Sequence, residues 1–60
     1  MITKDMTIRE TIMAKPEAAE ILMSFGMGCV GCPSAQMETL EEAAAVHGMS
    51  LDNLLAALNK

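Results

Sequence analysis

Aromatic side chains are almost missing from this sequence of 60 residues: Phe25 stands alone, with no Trp and no Tyr. Bases are scarce too, four Lys and Arg against eight Asp and Glu, for a formal charge of −4. Together these shortages argue against a nucleic-acid partner, which demands clustered cations for phosphates and aromatic platforms for bases. The low hydrophobicity of disordered chains is absent, since 52% of the residues are hydrophobic. No apolar stretch approaches the roughly 20 residues that span a bilayer. Behind Lys4, Asp5, Arg9 and Glu10 there is no apolar segment of the kind an export signal carries. A cytoplasmic location and no membrane partner are the expectation. The chain is also short. It makes a single domain, residues 1–60, too small to fill a core and also wall a deep multi-substrate pocket of roughly several hundred Å³.

What the chain has in quantity is Ala, Leu, Met and Glu, while Val, Ile and Thr together number ten. That balance favours helices over strands. Punctuation residues divide the chain into four short helices. Thr7-Ile8-Arg9-Glu10 fits a capping box at the start of the first, which should end near Ala14 or Lys15 because Pro16 pushes its predecessor out of the helical region. Pro16 suits the first turn of the second helix. Ala18, Ile21, Leu22 and Phe25 form its apolar stripe, and Gly26 is a natural left-handed terminator. Thr39-Leu40-Glu41-Glu42 is a second capping box, opening a third helix that Gly48 closes. Ser50 caps the fourth, with Met49 and Leu54 at the two positions of a hydrophobic staple. The expected core is Ile8, Ile12, Ala18, Ile21, Leu22, Phe25, Leu40, Ala43, Ala44, Leu51, Leu54, Leu55 and Leu58. It is thin, and chains below roughly 70–80 residues usually need a staple, a metal or a partner. Homodimerisation is one such option.

The chemistry concentrates in a loop over residues 26–38, which holds three of the four glycines and both cysteines, with Pro33 and Ser34 able to start a single helical turn. In Cys29-Val30-Gly31-Cys32-Pro33, two intervening residues let the sulfurs meet across a turn, to form a disulfide or hold two positions on one metal. Such a turn, followed by a helix N-terminus, lowers a thiol pKa. Gly26, Gly28 and Gly31 leave bare backbone around the sulfurs, with N–H groups able to face a thiolate, an anion or a cluster sulfide. The redox pair Cys29 and Cys32, supported by Gly26, Gly28, Gly31 and Pro33, is therefore the candidate site. Cys29 is the preferred attacking thiol, because Pro33 crowds Cys32.

Other readings remain open on the same residues. A closed zinc site needs four ligands, and the chain offers two cysteines and His47. Two chains can supply four cysteines, so zinc or an iron–sulfur cluster held by Cys29 and Cys32 at a dimer axis is the alternative cofactor reading. His47 is explained more simply by the C-terminal dipole of its helix and packing with Leu40 and Ala44. A thioredoxin fold does not fit, because a helix and not a strand leads into the motif. The scattered methionines suit gap-filling, with Met27 placed at a partner surface. A third possibility is an interaction domain whose cysteines are inert.

The run Phe25-Gly26-Met27-Gly28-Cys29-Val30-Gly31-Cys32-Pro33-Ser34, followed by Glu38-Thr39-Leu40-Glu41-Glu42-Ala43 and Val46-His47-Gly48, resembles the small domains associated with hybrid-cluster proteins as redox disulfide domains, a family of unknown function. The resemblance extends to the opening Ile2-Thr3-Lys4-Asp5-Met6. More distantly, the chain is similar to the N-terminal domain of di-iron proteins that repair iron–sulfur clusters, where the cysteines are adjacent instead of separated by Val30 and Gly31. The resemblance implies an all-α bundle of short helices with both cysteines in an inter-helix loop. It also implies thiol–disulfide chemistry with a redox or metalloprotein partner.

Overall fold

The computed structural model describes residues 1–28, 30–31 and 33–60; Cys29 and Cys32 lie outside the described residues. Among the described residues the fold is all-helical: α1 (Ile8–Ala14), α2 (Ala18–Ser24), α3 (Pro33–Gln36), α4 (Leu40–His47) and α5 (Leu51–Leu58). The expected four helices are therefore five. The addition, α3, is the single turn that Pro33 and Ser34 were able to start. Among the described residues no helix is long and apolar enough to cross a membrane.

Both capping boxes form. Thr7 Oγ1 accepts from the Glu10 N–H at 3.1 Å, and the Glu10 carboxylate accepts from the Thr7 N–H at 2.9 Å. Thr39 and Glu42 repeat the exchange at 3.1 and 3.0 Å. The two caps also meet each other, as Thr7 and Thr39 form an isolated antiparallel bridge. The Ile8 N–H donates to the Glu38 carbonyl and the Leu40 N–H to the Met6 carbonyl, both at 2.9 Å, while the Glu41 N–H reaches the Lys4 carbonyl at 3.2 Å. The first amides of a helix have no partner within it. Here α1 and α4 complete each other's first turns, which locks their N-termini side by side.

Pro16 does not enter the second helix. The Lys15-Pro16-Glu17 segment turns first, the Ala18 N–H bonding the Lys15 carbonyl at 2.9 Å, and α2 begins only at Ala18. Lys15, forced into extended geometry (φ −145°, ψ 96°) by the proline that follows, both ends α1 and starts this turn. Its ammonium donates to the Leu58 carbonyl at 2.7 Å, so α1 ends against the C-terminus of α5.

The helices close on Ile8, Ala18, Leu22, Leu40, Ala43, Leu54 and Leu58, with Ile2, Met27 and Val30 completing the buried cluster. Ile12, Ile21, Phe25, Leu51 and Leu55, expected in the core, are only partly buried around it. Met49 is likewise half-buried against the cluster that holds Leu54, in keeping with the staple. Among the described residues the fully buried Thr11 is the one buried polar residue. Its hydroxyl donates to the Thr7 carbonyl at 2.8 Å, which satisfies it inside α1. Ile2 joins the core because the Asn59 side chain grips its backbone, Oδ1 accepting from the Ile2 N–H at 2.7 Å and Nδ2 donating to the Ile2 carbonyl at 2.9 Å.

Candidate functional site

The candidate site is the connection from the end of α2 to the start of α4. Its N-terminal side is closed by a Schellman motif. Gly26 takes φ +100°, its N–H bonds the Met23 carbonyl at 3.0 Å, and the Met27 N–H bonds the Leu22 carbonyl at 3.2 Å. The motif turns the residue after the glycine back onto the helix. Met27 is accordingly 2% exposed and shares the core with Leu22. This corrects the assignment of Met27 to a partner surface. The signal lay in the sequence: a left-handed Gly26 makes its successor the packing residue of the cap.

Val30 is the second anchor, 8% exposed, with its carbonyl accepting from Gln36 Nε2 at 3.2 Å. Gly28 and Gly31 lie on the outside. The loop thus alternates between inward apolar residues, Met27 and Val30, and outward glycines. Downstream, the exposed Pro33 starts α3 as the sequence suggested. α3 has only four residues, so its macrodipole is small. α3 packs on α1. Glu38 then donates to the Ala35 carbonyl and accepts from Ile8 N–H, joining the loop to the clasp between α1 and α4. Both flanks of the cysteine motif are therefore fixed, one by the Schellman cap and one by the paired helix starts.

Of the six residues singled out in the sequence, Gly26, Gly28, Gly31 and Pro33 fall together in this loop. The redox assignment of Cys29 and Cys32 rests on residues outside the described set. His47 sits in the last turn of α4, where the dipole reading put it, and it is exposed. It lies about 10 Å along the helix from Leu40, at a rise of about 1.5 Å per residue. Among the described residues no three His, Asp or Glu side chains are grouped to hold a metal. An open groove of about 720 Å³ runs between α2 and α5, bordered by Lys15, Ile21, Phe25, Ala56, Ala57 and Lys60. It is a surface depression and not a walled pocket, and among the described residues it draws nothing from positions 26–36.

Comparison with known proteins agrees with this architecture. A solution structure of an uncharacterised protein from Methanocaldococcus jannaschii is 41% identical, with a TM-score of 0.88 over 97% of this chain and 80% of its own. A solution structure of a protein from Clostridium thermocellum is 44% identical, with a TM-score of 0.81 over 95% of this chain and 81% of its own. No curated protein matches the sequence. Residues 2–55 match the family described as domain of unknown function DUF1858, and the chain belongs to that family of small helical domains.

Proposed function

We propose that the domain is a cytoplasmic thiol–disulfide module, in which Cys29 and Cys32 alternate between dithiol and disulfide and exchange with a redox or iron–sulfur protein partner. The observation that supports this reading most is the treatment of the residues around the motif. Met27 and Val30 are anchored in the core, while Gly28 and Gly31, which precede the two cysteines, are exposed. The sequence resemblance to redox disulfide domains associated with hybrid-cluster proteins supplies the class of partner.

The exchange runs in two steps. The Cys29 thiolate attacks a disulfide sulfur of the partner, forming a mixed disulfide, and the partner's other sulfur leaves as a thiolate that takes up a proton. The Cys32 thiolate then attacks the Cys29 sulfur, which closes the Cys29–Cys32 disulfide and frees the partner's second thiol. Two electrons pass to the partner and two protons follow them. Cys29 is assigned the attack, since Pro33 follows Cys32 directly and restricts approach to it.

Thiol titration tests the proposal. Denatured protein from oxidised and reduced samples should differ by two free thiols per chain. The native reduced form should react with an aromatic disulfide reagent, and Cys29→Ser should abolish the fast phase that Cys32→Ser keeps. An equal thiol count in both samples refutes the reading. So does stoichiometric metal in anaerobically purified protein that is lost only in the cysteine variants.

A further inference from the structure

The groove between α2 and α5 has two walls of opposite character. On the α2 side stand Glu17, Ile21 and Phe25, spaced four residues apart and so on one helical face. On the α5 side stand Asn53, Ala56, Ala57 and Lys60, again on one face. The α2 wall is bulky and ends in a carboxylate. The α5 wall is low over its alanines and ends in an ammonium. Ile21 and the lone aromatic Phe25 stay half-buried here, although the core is short of large side chains.

The two walls also match in level. The Lys15 ammonium, three residues ahead of α2, donates to the Leu58 and Lys60 carbonyls at 2.7 and 3.4 Å, which puts the start of α2 beside the end of α5. The helices thus run in opposite directions along the groove, and Glu17 lies level with Lys60. Ile21 is four residues beyond Glu17 and Ala56 four residues before Lys60, about 6 Å in each case, so Ile21 lies level with Ala56 and Ala57. By the same count Phe25 lies near the level of Asn53. Among the described residues the one ion pair is Lys4–Glu41, so Glu17 and Lys60 border the groove without pairing within the chain.

Each wall is the complement of the other. A twofold axis laid along the groove sets the α2 wall of one copy on the α5 wall of the next with every level kept, because rotation about that axis moves nothing along it. Ile21 of each copy then fills the hollow over Ala56 and Ala57 of the other, and Glu17 meets Lys60, both contacts occurring twice as in any isologous interface. Charge favours the same occupant. The chain carries −4, yet the charged side chains bordering the groove are Lys15, Lys60 and Glu17, so the acidic excess that drives copies apart lies elsewhere.

We propose that a second copy of this chain closes the α2–α5 groove, in a parallel twofold dimer sealed by reciprocal Glu17–Lys60 pairs. The surface is independent of the thiol–disulfide reading, since the groove takes no described residue from positions 26–36. Both α2 C-termini, from which the cysteine loops depart, point to the same end of the pair. A groove of this size puts the dimer at the small end of protein interfaces, below about 1,200 Å² in all, so it forms at high chain concentration.

Sedimentation velocity under reductant, which removes intermolecular disulfides, tests the dimer. The sedimentation coefficient should rise between about 10 µM and about 1 mM chain. Glu17→Lys and Lys60→Glu each set like charges face to face and should raise the dissociation constant about tenfold. Mixed in equal amounts, the two variants regain opposite charges at both contacts, so the mixture should dimerise as the parent does. Ala56→Arg, at an exposed helix position, fills the hollow and should give a monomer, whereas Ala45→Arg, exposed on α4, should dimerise normally. A parent that stays monomeric at about 1 mM overturns the proposal, as do single charge variants that dimerise unchanged or a mixture that stays monomeric.

Discussion

Met27→Ala is the sharpest test of how the loop is built. The substitution keeps Cβ and removes Cγ, Sδ and Cε from a side chain that is 2% exposed. At about 0.8 kcal/mol for each buried methylene-sized group, the three atoms account for about 2.4 kcal/mol, with the residual cavity adding to that. A domain of 60 residues, at roughly 0.05–0.15 kcal/mol per residue, has a total stability of about 3–9 kcal/mol. Its unfolding entropy, at about 2.1 cal/mol/K per residue, is about 0.13 kcal/mol/K, so the loss should lower the melting temperature by about 15–20 °C. The Met27 N–H bond to Leu22 survives the change, so the experiment isolates the side chain. Urea titration followed by circular dichroism should show a lower midpoint at an unchanged slope. Met37→Ala is the control: Met37 is 78% exposed, and its variant should stay within about 0.5 kcal/mol of the parent. If the two variants melt alike, the Schellman cap does not seat Met27 in the core and the account of the loop is wrong.

A Cβ at Gly26 meets no described atom, so the cost of Gly26→Ala is backbone strain, about 1–2 kcal/mol at φ +100°, and the melting temperature should fall by about 8–16 °C. A fall no larger than that of an exposed helix substitution would contradict this geometry. Thr39→Ala removes the acceptor for the Glu42 N–H and should cost about 1 kcal/mol in urea unfolding, most of which Thr39→Ser restores. Asn59→Ala breaks both bonds to the Ile2 backbone. A loss of about 1–3 kcal/mol and faster hydrogen exchange of the Ile2 amide are expected, and an unchanged exchange rate would show the grip to be idle. Replacing Cys29 and Cys32 together by serine should leave a folded helical domain. In the chain-entropy picture, a bridge across so short a spacing is worth at most about 2 kcal/mol. An unfolded double variant would mean that the cysteines hold the fold.

The parts of this fold that were legible are those written in local chemistry. Thr7 with Glu10, Thr39 with Glu42, Ser50 as the cap of α5, and the terminators Gly26 and Gly48 each act on residues within a few positions, and each appears in the structure. What escaped depended on distant partners. Ile2 is buried through Asn59, 57 residues away, a contact that no periodicity announces. Val30 looked like loop because a single apolar residue between cysteines has no helical or strand pattern around it. Pro16 fits the first turn of a helix in general, yet here the Lys15 carbonyl captures the Ala18 N–H and the helix starts later. The candidate site was legible as residue types. Its inward–outward alternation was not, since it follows from where the Schellman turn points Met27.

The same distant contacts bear on what the cysteines are for. A core this thin in aromatic and large aliphatic side chains needs help, and a disulfide is the usual help in a domain of this size. Yet the helix starts of α1 and α4 are tied to each other by three backbone bonds. Ile2 is tied to Asn59 by two side-chain bonds, and Lys15 caps the last turn of α5. These ties join segments some 30 to 57 residues apart, whereas a Cys29–Cys32 bridge joins positions three apart and constrains the unfolded chain far less. The long-range stitching that a small fold requires is thus done by hydrogen bonds elsewhere. A sulfur pair relieved of that duty can open and close without taking the fold with it, which is the condition a reversible dithiol must meet.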